Sequence, residues 1–327
     1  MNERIIEEMD IKMKDLQVIV KDTEIRFECD IQHLEEIISV LGHLVEERDI
    51  QQIPNYSVLK QPRISVGYTE LYEEGLDDVR GIAFDERTQF IYIAHGDILT
   101  APRNISVFSV TGDLIKAYHD DLLTTPEGIA ISGEELYVSD SWLNSIFHFQ
   151  LPDFQFVSRV GKTGKGKEEF MNPHNMTVGP DGWVYVADWG NNRIVVMDGK
   201  LKHNNMITHH SMIRLCDVKL LENEIYVLSD NTKPRILVFS QNGQKIRTLK
   251  TLVKTTRGFC FDKRNNYLIG DFSRGKIKVF SKDGALLHIL GDNQDRDKRI
   301  KPMGIVVTNN NEITCGSCHT KFGLHIF

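Results

Sequence analysis

The chain has 327 residues, of which 41% are hydrophobic and 26% charged, and its formal net charge is −7. This is an ordinary globular composition, long enough for one large domain plus an extension. No apolar run approaches the ~18 residues of a membrane span, and the opening MNERIIEEMD is acidic rather than a basic start to an apolar stretch, so a cytoplasmic protein with no membrane partner is expected.

Residues 1–16 place Ile5, Ile6, Met9, Met13 and Leu16 on one face of a helix with acids opposite. Such a helix packs on a neighbouring element or pairs with a second copy of the chain, giving a homodimer. Val18, Val20, Ile25 and Phe27 then alternate around Lys21-Asp22-Thr23, which predicts a hairpin. Asp30 is placed to cap a helix over residues 31–41, with Gly42 just past its end. Residues 51–61, with Pro54 and Pro62 at their margins, read as a linker.

From about residue 78 onward one pattern recurs. A branched aliphatic residue, any residue, a mostly apolar one, then an aromatic or Met starts at Ile105, Ile146, Ile194, Ile236, Ile277 and Leu324, at spacings of 41, 48, 42, 41 and 47 residues. A period of ~40 to 50 residues with four strands per unit predicts a β-propeller, in which each blade buries its faces against its neighbours. Six copies predict six blades. Innermost strands are expected to start near Gly81, Gly128, Asn175, Asp217, Gly258 and Gly304, where glycine suits backbone crowded around an axis. Thr111-Gly112, Asp198-Gly199, Asn242-Gly243 and Asp283-Gly284 are hairpin signals between third and fourth strands. They mark one end of the ring; the loops entering the first strands and those between second and third strands gather at the other, called here the inlet face. Because the chain ends on the third strand of blade six, residues 63–71 are expected to supply its fourth strand and remove an unpaired edge. The expected domains are therefore an extension over residues 1–60 and a closed propeller over 61–327.

The fullest copy, residues 173–198, carries Pro-X-X, Asp-Gly, Tyr-Val-Ala-Asp and Asn-Asn-Arg-Ile elements in order, and it resembles an NHL repeat. The segment IRFECDIQHLEEIISVLGHL resembles the stretch after the coiled coil in tripartite-motif proteins that carry NHL repeats. The expected fold is thus mainly β, a six-bladed NHL-type propeller with a short α/β amino-terminal extension. The closely spaced Cys and His of a RING or B-box do not occur, so intrinsic ubiquitin-ligase activity is not expected. The resemblance implies either selection of a protein partner, as in ligase substrate adaptors, or binding of single-stranded RNA, as in brain tumor-type members.

Charge bears on that choice. Residues 1–160 hold 13 Lys and Arg against 30 Asp and Glu, whereas residues 161–327 hold 26 against 16. The asymmetry points to an anionic partner for the basic half or to attraction between acidic and basic blades. On the inlet face the expected binding residues are Arg80, Trp142, His174, Trp189, Arg193, Arg235, Arg257, Phe272, Arg274, Lys276 and Lys321. Aromatic faces among cations suit stacked bases and phosphates, or the anchors of a peptide; alternatively the rings pack between blades. Protein binding is the reading favoured here, since Glu127, Asp188 and Asp230 lie beside the cations.

Other chemistry is less supported. Asp140, Asp188, Asp230 and Asp271 close the second strand of four blades, a repetition that predicts carboxylates accepting backbone N–H bonds from the following turn. The resemblance extends to an NHL-like propeller lyase that processes peptidylglycine, in which a His from each of three blades holds a metal. Here those positions are Arg80, Glu127, His174, Cys216, Arg257 and Met303, and one His gives no zinc shell where about three protein ligands are needed. A metal-dependent lyase is therefore the least favoured reading, with no catalytic residue, metal or cofactor expected. Cys315-Gly-Ser-Cys318 has redox spacing but lies on a predicted strand, so an inert pair is expected, and the five cysteines, an odd number, argue against structural disulfides.

Overall fold

A computed structural model describes residues 69–71, 79–96, 104–119, 121–230, 233–291, 301–317 and 323–326. The helices, hairpin and linker expected over residues 1–61 lie outside these, as do residues 63–68 and Lys321. The described residues belong to one unit, Ile64–Phe327, and form six four-stranded antiparallel sheets.

Blade one comprises Gly81–Asp85, Phe90–His95, Asn104–Ser109 and Leu114–His119. Blade two comprises Pro126–Ser132, Glu135–Asp140, Ser145–Gln150 and Gln155–Val160. Blade three is Pro173–Val178, Val184–Asp188, Arg193–Met197 and His203–Thr208. Blade four is Leu215–Leu221, Glu224–Ser229, Arg235–Ser240 and Lys245–Lys250. Blade five is Phe259–Phe261, Tyr267–Asp271, Lys276–Phe280 and Leu286–Leu290. Pro302–Val307, Ile313–Ser317 and Gly323–Ile326 make three strands of blade six. Its outer strand is Thr69–Leu71, paired antiparallel with Gly323–Ile326 in the register Thr69 to Ile326 and Leu71 to Leu324. Both ends of the described chain therefore meet in one sheet.

Second and third strands are buried along most of their length, because a neighbouring blade covers each face; the outermost strands, such as Leu114–His119, face solvent. Six apolar clusters lie between consecutive blades. Tyr92 and Val107 meet Val138 and Phe147; Tyr137 and Ile146 meet Val186 and Val195; Tyr185 and Ile194 meet Val218 and Val227. Tyr226 and Ile236 meet Phe259 and Tyr267, Leu268 and Ile277 meet Ile305 and Cys315, and Val306 meets Ile82 and Ile91. The last cluster joins blade six to blade one, so the ring is closed. Each fully buried side chain of this size contributes about 1.5 to 3 kcal/mol, and no single blade could bury both of its faces alone.

The inner strands touch one another directly. A Cβ on Gly128 would lie 2.7 Å from the Asn175 Cα and from the His174 carbonyl oxygen of blade three, leaving no room for any larger residue. Beside it, the Ser139 hydroxyl donates to the His174 carbonyl oxygen at 2.8 Å and accepts from the Gly128 N–H at 2.8 Å.

The turns between third and fourth strands depart from the expected glycine pattern in two blades. In the turns that begin at Ser109, Ser240 and Ser281, the left-handed residue is Gly112, Gly243 or Gly284. In blade three the same position falls on Leu201 (φ 60°) and not on Gly199, and in the longer turn of blade two, where Gln150 pairs with Gln155, the left-handed residue is Phe154 (φ 57°). Both side chains are 3% exposed, so their burial offsets a left-handed backbone that costs roughly 1 to 2 kcal/mol.

Candidate functional site: the inlet face and its central mouth

Because strands alternate in direction, the starts of first and third strands and the ends of second strands meet at one end of the ring. The repeated aspartates lie there, and their carboxylates organise its loops. Asp140 accepts the Trp142 N–H at 3.1 Å and the Leu143 N–H at 2.9 Å through one oxygen, and the N–H groups of Thr124 and Thr125 through the other. Asp188 accepts the Met171 N–H at 2.8 Å and the side chains of Asn191 and Arg193, each at 2.8 Å. Asp271 accepts the Ser273 hydroxyl at 3.1 Å and lies 3.1 Å from the Lys278 ammonium. In blade one His95 takes this position. It contacts the Ser106 hydroxyl at 2.8 Å, and burial pushes its pKa down to about 4.

Arg193 differs from expectation. It is 5% exposed, paired with Asp188 at 2.8 Å, and its other guanidinium nitrogens donate to the carbonyl oxygens of Lys165, Gly166 and Glu169. It pins the 162–170 loop and presents no donor to a ligand.

Arg80, His174 and Arg257, three of the positions that open the inner strands, come together around the axis with Glu127. Arg80 Nη1 donates to Glu127 Oε2 at 2.6 Å, and His174 Nδ1 lies 3.8 Å from Glu127 Oε1. Burial opposes ionisation of Glu127, but His174, Arg80 and Arg257 together outweigh it and hold the carboxyl below its ordinary range. Burial also pushes His174 down to about 4, against the pull of Glu127 and in the same direction as Arg257 and Arg80. The imidazole is thus neutral near pH 7, and the Arg80–Glu127 contact is what stabilises the carboxylate there. Asp230 borders the same space: burial raises its pKa, while Arg257, the Thr256 N–H and Arg214 draw it back. Burial lifts the Cys216 thiol well above its usual range, with Asp230 and Asp217 adding to the shift, so it is inert as a nucleophile.

The aromatic residues lie on the inlet face, after the second strands of blades two, three and five, and Trp189 borders the mouth. His174 and Trp189 stack with centroids 5.6 Å apart and planes at 8°, and the Arg214 guanidinium lies 5.7 Å from the Trp189 ring centre. The Lys301 ammonium lies 5.5 Å from Phe272. Trp142 is 66% exposed on its turn. Arg274, half exposed, lies 3.5 Å from Asp271. Arg235 and Lys276 begin third strands, farther out along their blades than the inner strands, and both are half-buried. Arg214 and Lys301 were missed from sequence. Each directly precedes an inner strand, so the inlet register that singled out Arg80 and Arg257 could have found them by looking one or two residues earlier.

Among the described residues no group of three or more His, Cys, Asp or Glu could hold a metal ion. Cys216 and Cys260 are free and buried, Cys315 is buried, and Cys318 lies outside the described residues.

Residues 117–213 match a family described as 6-bladed beta-propeller (DUF5128). The fold is a β-propeller. The match covers blades two and three, the stretch that contains His174 and Trp189. A streptogramin B lyase structure is 11% identical, with TM-score 0.58 over 80% of this chain and 96% of that one. A virginiamycin B lyase from Staphylococcus aureus is 13% identical, with TM-score 0.54 over 76% and 80% of the two chains. A chain of a nidogen/laminin complex is 18% identical, with TM-score 0.53 over 65% of this propeller and 84% of that chain. At these identities the likeness concerns the fold alone. No curated protein matches by sequence.

Proposed function

We propose that this propeller is a non-catalytic recognition module that takes a protein partner on its inlet face. The observation that carries the reading is the set of aromatic side chains on the inlet face: exposed Trp142, and Trp189 and Phe272 with cations over their rings. Trp and Arg are the residue types that dominate protein-binding energy when set in a polar surround. The NHL likeness of residues 173–198 fits the same role, since substrate adaptors of that kind select proteins.

Single-stranded RNA fits less well. Glu127 and Asp230 stand among the cations, and Trp189 already has His174 parallel to it and Arg214 over its ring, which leaves less of that ring for a base. Lyase chemistry, suggested by the names of two similar structures, has little support at the mouth, where His174 is the single imidazole among the six inlet positions and the Cys216 thiol is held protonated.

The test is affinity capture from lysate of the source cells, with and without ribonuclease, comparing the natural chain with a Trp142→Ala, Lys301→Glu double variant. A protein retained through ribonuclease and lost from the variant supports the proposal. Capture that disappears with ribonuclease, or that ignores the variant, overturns it.

A further inference from the structure

We infer that the mouth of the propeller is a carboxylate site, in which Arg257 and His174 receive an acidic side chain or a chain terminus of the partner. This rests on the protein-binding reading and names the group that reading would anchor.

Arg257 is the first reason. Its guanidinium is half-buried and, unlike Arg80 and Arg193, has no hydrogen bond and no carboxylate within 4.0 Å among the described residues. It directly precedes Gly258, where a Cβ would lie 2.6 Å from the Met303 carbonyl oxygen of the next inner strand, so it stands at the axis, and it acts electrostatically on Glu127, His174, Cys216 and Asp230 of three other blades. Its donors are unused within the described protein, and its planar fork matches the two oxygens of a carboxylate.

His174 is the second. It is 5% exposed, its ring is held against Trp189, and neither nitrogen makes a hydrogen bond among the described residues, Glu127 Oε1 lying 3.8 Å from Nδ1. A neutral imidazole fixed in this way offers one N–H to a ligand beside the guanidinium. Two unused donor groups that open neighbouring parts of the inner ring call for an acceptor from outside.

Charge decides between anions. The cations that act on the two carboxylates of the mouth, Glu127 and Asp230, are Arg80, Arg214 and Arg257. Glu127 is in contact with Arg80 at 2.6 Å, and Arg214 lies over Trp189. One positive charge is left in excess, which suits a single carboxylate. A phosphate dianion would bring a second charge toward Glu127 and Asp230 with no cation to meet it.

The experiment is an NMR titration of the full chain, following the His174 ring protons. The probes are N-acetyl-Gly-Glu-Gly amide, which carries a side-chain carboxylate only, N-acetyl-triglycine with a free terminus, and inorganic phosphate. The expected result is saturable shifts with at least one carboxylate probe, weakened about tenfold or more by Arg257→Ala. Arg264→Ala, at an exposed turn on the other end of blade five, should leave them unchanged. Which peptide binds tells a side chain from a terminus. Absence of shifts with both peptides, equal binding by Arg257→Ala, or tighter binding of phosphate overturns the inference. Should the peptides bind while lysate capture proves ribonuclease-sensitive, the carboxylate site stands and the protein-binding reading falls; the reverse pair of results has the reverse meaning.

Discussion

Asp140 shows how much a single carboxylate does on the inlet face. It accepts four backbone N–H groups from two loops, at Thr124, Thr125, Trp142 and Leu143, while itself wholly buried. Each buried donor left without its acceptor costs about 1 to 3 kcal/mol, so Asp140→Ala should lower stability by about 3 kcal/mol or more in urea titrations. A loss under about 1 kcal/mol would mean that the loops hold themselves. The repeated aspartates were legible because their recurrence at one register already spoke for turns. Arg193 was not. It starts a third strand on the inlet face, as a ligand-binding Arg would, but the longest spacing between repeats, 48 residues, falls just before it, and part of that extra chain forms the loop whose carbonyls claim its guanidinium. Nothing in the local sequence shows which way such a loop folds.

Among elements, the turns between third and fourth strands in blades one, three, four and five share one geometry built from two kinds of sequence. Blades one, four and five use Gly at the left-handed position; blade three uses a buried Leu. Hence Gly243→Ala and Leu201→Gly should both destabilise, for opposite reasons. The first forces a left-handed alanine at a cost of roughly 1 to 2 kcal/mol, although its Cβ would have space, the nearest atom being 3.4 Å away. The second relieves the backbone but loses a side chain that is 3% exposed, at a cost of roughly 2 to 5 kcal/mol. Equilibrium unfolding of the two variants checks the order, Leu201→Gly being the more damaged; a stabilised Leu201→Gly would show that backbone strain outweighs burial there. Sequence reading placed these turns correctly, Asp198-Gly199 in blade three included, but did not show which residue of that turn is left-handed. In the structure Asp198 caps the N–H groups of Lys200 and Lys202, each at 2.9 Å, and the left-handed residue comes two positions after Gly199.

At the scale of the whole molecule, the repeat period made the architecture legible, since the strand registers follow from alternation. The ring itself is visible only in the structure, where Ile82 and Ile91 of blade one share a cluster with Val306 of blade six and Thr69–Leu71 pairs with Gly323–Ile326. The mouth was half legible for the same reason. Arg80, His174 and Arg257 share a register in sequence, yet their convergence with Glu127 and Asp230 requires the ring to bring five blades to one axis. Closure also gives the two ends of the disc different chemistry. The inlet end carries Trp142, Trp189, Phe272 and the mouth; the opposite end carries the turns around Gly112, Leu201, Gly243 and Gly284. Hydrogen–deuterium exchange of the propeller with its captured partner asks most directly which end is used. The account predicts protection at residues 141–143, 189–192, 255–258 and 272–275 with the opposite turns unchanged, and protection confined to residues 110–113, 199–202, 241–244 and 282–285 would contradict it.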